Sequence, residues 1–164
     1  MPSDWIAVEA KLIEADTPSI VVDLFRRQYE KLVDGSSAFV RESEIDVVDN
    51  LVDSAALDER FRDLGRVAMG SAAILKLNGG LGTSMGLDGP KSLLKVRGDD
   101  TFLALILRQA GQLNVPLVLM NSFSTSRQTA EAIAGVTVAD LHVTSFLQHQ
   151  VPKINAQTLK PAHW

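Results

Sequence analysis

Four glycines, Gly79, Gly80, Gly82 and Gly86, stand directly behind the apolar run Ala72-Ala-Ile-Leu75, and Lys91 follows within Gly89-Pro-Lys-Ser92. A strand that runs into a glycine-rich bend can turn backbone N–H groups onto a phosphate, because no Cβ blocks the approach. A lysine arriving shortly afterwards adds a mobile point charge for a polyphosphate. The chemistry these residues prepare for is that of a nucleotide.

Three common motifs nearly fit this stretch, and each fails on spacing or context. The phosphate loop of nucleoside triphosphatases needs Gly-Lys-Ser/Thr, whereas Pro90 separates Gly89 from Lys91 and removes a backbone donor. The dinucleotide fingerprint G-x-G-x-x-G is missed by one residue between Gly82 and Gly86, although the acidic pair Asp99-Asp100 stands at a suggestive distance. Gly82-Thr-Ser-Met-Gly86 is a literal G-x-S-x-G. A nucleophile elbow leaves its strand directly, however, and here Asn78-Gly-Gly-Leu81 intervenes. A triad would also need Asp140 with His142 or His149, which have no supporting context. His142, His149 and His163 lack metal-ligand spacing.

The elements that must position the loop read as follows. Ile6, Ala10 and Ile13 share one face of a short helix, and Ile20, Leu24 and Leu32 mark a second that starts after Thr17-Pro18 and closes near Gly35. Leu57, Phe61 and Leu64 give a third helix ending at Gly65. From Val67 the pattern changes. Residues 72–77 form a short buried strand, 92–96 a brief second one, and 101–113 an apolar helix capped by Asp100 or Thr101. The near-continuous apolar run 115–120 fits a parallel strand covered on both faces. Ser124-Thr125 caps a helix through Ile133, a role also expected of Asn121 and Ser122, and 136–146 returns to strand. The alternation predicts an α/β layer with right-handed crossovers, in which ligands bind beyond the carboxyl ends of the strands.

Composition narrows the partners. The 164 residues are 46% hydrophobic and 22% charged, as in a globular domain, and no apolar run approaches the roughly 20 residues that span a bilayer. Residues 1–66 carry eight Lys/Arg against fifteen Asp/Glu, and residues 67–164 carry eight against five, so the glycine loop lies in the mildly basic part. An isoelectric point near 5.3 and no basic stripe argue against nucleic acid. The chain has no cysteine, which fits a cytoplasmic setting.

Taken together, the residues resemble a family. Lys76-Leu-Asn-Gly-Gly-Leu-Gly-Thr-Ser-Met-Gly86 with Gly89-Pro-Lys-Ser92 resembles the nucleotide-binding loop of the eukaryotic-type UDP-glucose pyrophosphorylases. The resemblance continues through Arg97, Thr101-Phe-Leu103, Val115-Pro-Leu-Val-Leu-Met-Asn-Ser-Phe123, Phe146-Leu-Gln148 and Pro152-Lys-Ile-Asn155. Asn78 and Thr83-Ser-Met85 favour the glucose-type branch over the UDP-N-acetylhexosamine relatives. Leu87-Asp88 departs from the family's usual residues there.

The resemblance implies a Rossmann-like, GT-A-like nucleotidyltransferase sheet, of which residues 67–164 would be the first half and residues 1–66 a helical lead-in. It implies UTP and glucose 1-phosphate as substrates and Mg²⁺ as cofactor. Leu77, Asn78, Gly79, Gly80, Lys91 and Gln148 would bind UTP, with the two glycines near uracil and ribose. Lys91 would be the catalytic cation on the phosphates, and Gln148 would hydrogen-bond the uracil. Enzymes of this family are much longer than 164 residues. The sugar-phosphate contacts, the Mg²⁺-holding aspartate, a second lysine and a C-terminal β-helix are therefore expected outside these residues. A non-catalytic nucleotide-binding module is the competing expectation. Oligomeric state and the exact sugar are left open.

Overall fold

Helices of the first third form where apolar residues recur at three- and four-residue intervals, but their buried stripes differ from the expected ones. The computed structural model describes residues 5–36, 39–136, 138 and 140–162, and of Ser84 the backbone alone; His163 and Trp164 lie outside the described residues. By internal contacts the chain divides into two units, Met1–Leu51 with His149–Trp164, and Val52–Gln148. Helix α3 (Glu59–Met69) runs through Arg66, and Met69 packs on the core of the sheet unit.

The first unit pairs α1 (Trp5–Glu14) with α2 (Ser19–Val33). Trp5, Val8 and Leu12 of α1 and Tyr29 of α2 are its buried core, joined by Val22, Phe25, Ile154 and Leu159. The Trp5 and Tyr29 rings meet at 5.4 Å in a tilted arrangement, and the Tyr29 hydroxyl donates to the Leu159 carbonyl at 3.0 Å. That bond and the Ile154 and Leu159 contacts hold the segment after Gln148 with these helices. Ile6, Ile13, Ile20, Leu24 and Leu32 are instead exposed. Trp5-Val8-Leu12 is an equally regular helical stripe with a larger apolar surface, so periodicity alone could not choose between the two.

In the second unit Asp58 caps α3 by accepting from the Arg60 N–H at 2.9 Å. The helix continues past Gly65 to Gly70, since one interior glycine costs only about 1 kcal/mol. Leu57, Phe61 and Leu64 stay exposed. The sheet has three parallel strands in the order β1 (Ile74–Asn78), β4 (Leu117–Asn121), β5 (Val143–Leu147). Between β1 and β4 come the short antiparallel pair β2 (Lys95–Arg97) and β3 (Asp100–Thr101), then helix α4 (Phe102–Leu113). Helix α5 (Ser126–Ala134) connects β4 to β5. Residues 91–93 form a 3-10 turn, so the second strand begins only at Lys95, and among the described residues of 136–146 those from Val143 on are strand. Thr101 caps α4 by accepting from the Ala104 N–H at 3.1 Å, and Asn114 closes it in the left-handed conformation.

Leu103, Leu107 and Ala110 of α4 pack against Val115, Leu117 and Leu119, with Ala132 and Ile133 of α5 alongside. Both crossovers therefore cover the face carrying Leu117 and Leu119. The alternate residues Leu75, Leu77 and Phe146 point to the other face and are about half exposed or more. Leu107 is 2% exposed at the centre of this core. Leu107→Ala should lower the stability of the sheet unit by about 2–5 kcal/mol, read from chemical denaturation with an unchanged m-value. A loss under 1 kcal/mol would show that α4 is not the main cover of the sheet.

Candidate functional site

The parallel register aligns Asn78, Asn121 and Leu147 at the carboxyl ends of the three strands. The next residues out are Gly79, Ser122 and Gln148, so the loop glycines and Gln148 emerge from the same edge. At Gly79 an added Cβ would run into the side-chain amide of Gln148, whose Cδ lies 3.0 Å from that position. Glycine is thus what allows the amide to lie against the main chain here. Gly80 has more room, the nearest atom being Cδ of Lys91 at 3.9 Å.

Beyond Gly80 the chain folds back on itself. The Lys91 N–H donates to the Gly80 carbonyl at 3.1 Å, and the Gly82 N–H donates to the Gly89 carbonyl at 2.9 Å. A 3-10 turn over Thr83–Met85 ends at Gly86, whose φ of 70° is the left-handed conformation that favours glycine. The N–H groups of Met85 and Leu87 donate to the Gly82 carbonyl and that of Gly86 to Thr83. Gly82 and Gly86 therefore shape the loop, and their N–H groups are already engaged within it. This corrects the picture of four glycines cradling one phosphate. The G-x-S-x-G stretch makes this 3-10 turn, unlike the strand-to-helix elbow of a hydrolase.

Gly79, Gly80, Lys91 and Gln148 are brought together, with Lys91 exposed at the loop's return. Leu77 is 67% exposed but stands on the uncovered sheet face, in register with Met120 and Phe146. Asn78 is 3% exposed: its Nδ2 donates to Asn121 Oδ1 at 2.8 Å and to Thr129 Oγ1 at 3.0 Å. Asn78 can therefore offer a ligand its main chain and not its amide. Asn121 and Ser122 do not cap α5. Thr125 sits at the cap position without a side-chain cap bond, and its hydroxyl instead accepts from the Ser122 N–H at 2.9 Å. Thr129, buried on α5, was invisible to sequence reasoning, which has no local signal for a hydroxyl serving a residue on another strand.

Electrostatic perturbation lies elsewhere. Lys95 and Asp99 pair at 2.7 Å, and their hydrogen bond, reinforced by charge attraction, holds the lysine above and the carboxyl below their usual values. Both groups are fully exposed, so the pair adds little stability. Among the described residues no group of three or more His, Cys, Asp or Glu could hold a metal ion. Nor, among them, is any helix long and apolar enough to cross a membrane.

A sequence model of the family described as "UTP--glucose-1-phosphate uridylyltransferase" matches residues 22–164. The chain belongs to that family. It is 36% identical to UTP--glucose-1-phosphate uridylyltransferase 2 of Dictyostelium discoideum, a match covering 94% of this chain and 31% of that protein. With UTP--glucose-1-phosphate uridylyltransferase of Saccharomyces cerevisiae it shares 46% identity over 54% of this chain and 19% of the relative. A single-site mutant of UDP-glucose pyrophosphorylase from Leishmania major, solved in complex with UDP-glucose, superposes with a TM-score of 0.82 at 31% identity. That match covers 100% of this chain and 36% of the other. UDP-glucose phosphorylase from Trypanosoma brucei gives 0.76 at 32% identity, over 98% and 34% of the two chains.

The chain thus spans about a third or less of the length of these uridylyltransferase relatives. Its parallel sheet and helices belong to their nucleotidyltransferase fold. The geometry makes a specific demand at the double glycine. Gly79→Ala should displace the Gln148 amide, seen as large shifts of its side-chain resonances in a heteronuclear NMR spectrum. Gly80→Ala should leave those resonances in place. Equal spectra for the two variants would separate Gln148 from Gly79.

Proposed function

We propose that this chain carries the UTP-binding part of a uridylyltransferase that makes UDP-glucose and pyrophosphate from UTP and glucose 1-phosphate. One observation carries the reading. In a chain of this family, Gly79, Gly80, Lys91 and Gln148 emerge together at the carboxyl edge of a parallel sheet, where such folds bind their ligands. The L. major relative was solved with UDP-glucose, the product of such a reaction.

In the reaction, a phosphate oxygen of glucose 1-phosphate attacks the α-phosphorus of UTP. The bond from that phosphorus to the bridging oxygen breaks, and pyrophosphate leaves with the electron pair. Two anions must be held together, so positioning and cationic stabilisation supply most of the acceleration, and no covalent enzyme intermediate is needed. Lys91 is the cation for the triphosphate. Its main chain is tied to Gly80, so the charge is anchored beside the glycines while the side chain reaches out. Gln148 presents an amide donor and acceptor to the uracil edge, and the Gly79–Gly80 main chain approaches base and ribose. Mg²⁺ belongs to this proposal as a partner of the triphosphate.

Lys91→Ala should weaken UTP binding by about 10- to 150-fold, the loss of one charge-assisted hydrogen bond. Titration calorimetry giving equal affinities for parent and variant would remove Lys91 from the site. The 164-residue chain on its own should show little glucose-1-phosphate-dependent pyrophosphate release, because alignment of both substrates supplies about 7–11 kcal/mol and these residues span about a third or less of the relatives' length. A coupled assay with turnover of about 1–10³ per second, the ordinary enzyme range, would overturn that expectation.

A further inference from the structure

We propose that Asn121 is a positioning residue that sets base specificity, because it is hydrogen-bonded both to Asn78, from which Gly79 departs, and to Gln148. The inference rests on the uridine-site reading above and extends it to a residue behind the Gly79–Gln148 pair.

Two bonds converge on Asn121 from opposite sides. Its side-chain Oδ1 accepts from Asn78 Nδ2 at 2.8 Å, fixing the residue from which Gly79 departs. Its main-chain carbonyl accepts from the Gln148 N–H at 2.8 Å, fixing the backbone from which the reading amide projects. Asn78 and Asn121 are opposite one another in the parallel register, and Asn121 is only 2% exposed. Thr129 Oγ1 accepts the second Asn78 proton at 3.0 Å and is fully buried, so α5 braces the arrangement from beneath the sheet.

This matters for specificity because uracil and cytosine differ only in where donor and acceptor stand on one edge. A primary amide can turn over and satisfy either base unless its distance and orientation are fixed. The Gln148 amide lies so close to Gly79 that a Cβ would not fit between them. A small change in the Gly79–Gln148 separation therefore frees the amide to turn. Asn121 keeps that separation through the bond its buried Oδ1 accepts from Asn78 and the bond its main-chain carbonyl accepts from Gln148, since a buried donor or acceptor resists loss of its partner.

The test compares UTP and CTP titrations of the 164-residue chain with those of Asn121→Leu, Asn121→Asp and Thr129→Val. The parent should prefer UTP. Asn121→Leu, similar in volume but without the acceptor, should lose about tenfold in UTP affinity and leave CTP affinity within about twofold. Asn121→Asp keeps an acceptor in place and should restore the preference. Thr129→Val, which retains the shape, should lose it in smaller measure.

UTP and CTP affinities falling in parallel, or a preference that survives Asn121→Leu, would overturn the inference while leaving the uridine site standing. A parent without any UTP preference would instead overturn the uridine-site reading itself. Amide hydrogen exchange gives a readout free of nucleotide. In Asn121→Leu the Gln148 N–H should exchange about tenfold faster, with Leu119 unchanged. Equal acceleration at both amides would mean general destabilisation and would also overturn the inference.

Discussion

A parallel sheet delivers the carboxyl ends of all its strands to one edge, and in this protein the meeting of the glycine loop with Gln148 hangs on that constraint. The in-register row Asn78, Asn121, Leu147 sets the level at which three separate chain segments leave the sheet. Residues about seventy positions apart, Gly79 and Gln148, touch because their strands flank the same central one. The core under that row is a simple one: α4 lies across Leu117 and Leu119, with α5 beside it. Burial of these few side chains supplies the rigidity that a loop of glycines cannot supply for itself.

Much of the sheet unit was legible in the sequence because its signals are local. The apolar run before Gly79-Gly80 is a strand, though it spans Ile74–Asn78 and leaves Leu75 and Leu77 exposed where a buried strand over 72–77 was expected, and of the two expected caps of α4, Asp100 and Thr101, it is Thr101 that serves. The apolar run 115–120 likewise became the central strand, displaced by a residue or two. The family resemblance supplied what spacing alone could not, namely that Gln148 belongs with the loop.

What the sequence concealed depended on distant partners. In α1 the stripes Ile6-Ala10-Ile13 and Trp5-Val8-Leu12 are both helical, and only the presence of Tyr29 decides which is buried. Asn78 carries a motif position that suggests a ligand contact, yet it is buried and its Nδ2 donates to Asn121 and to Thr129, fifty-one residues away. Gly82 and Gly86 look like donors for phosphate, but hydrogen bonds inside the loop take up their N–H groups. A glycine count reports conformational freedom and says nothing of how that freedom is used.

The internal hydrogen bonds of the loop also shift when its entropy is lost. Fixing the backbone of one residue costs about 1–2 kcal/mol, and a glycine loses more than any other residue. A loop of twelve residues that became ordered around its ligand would give up much of its binding energy to that ordering. From Gly80 to Lys91 the chain is instead pinned by its own Gly82–Gly89 and Lys91–Gly80 bonds and by the turn at Gly86. The ordering is met during folding, and the loop presents at this edge a surface already in shape.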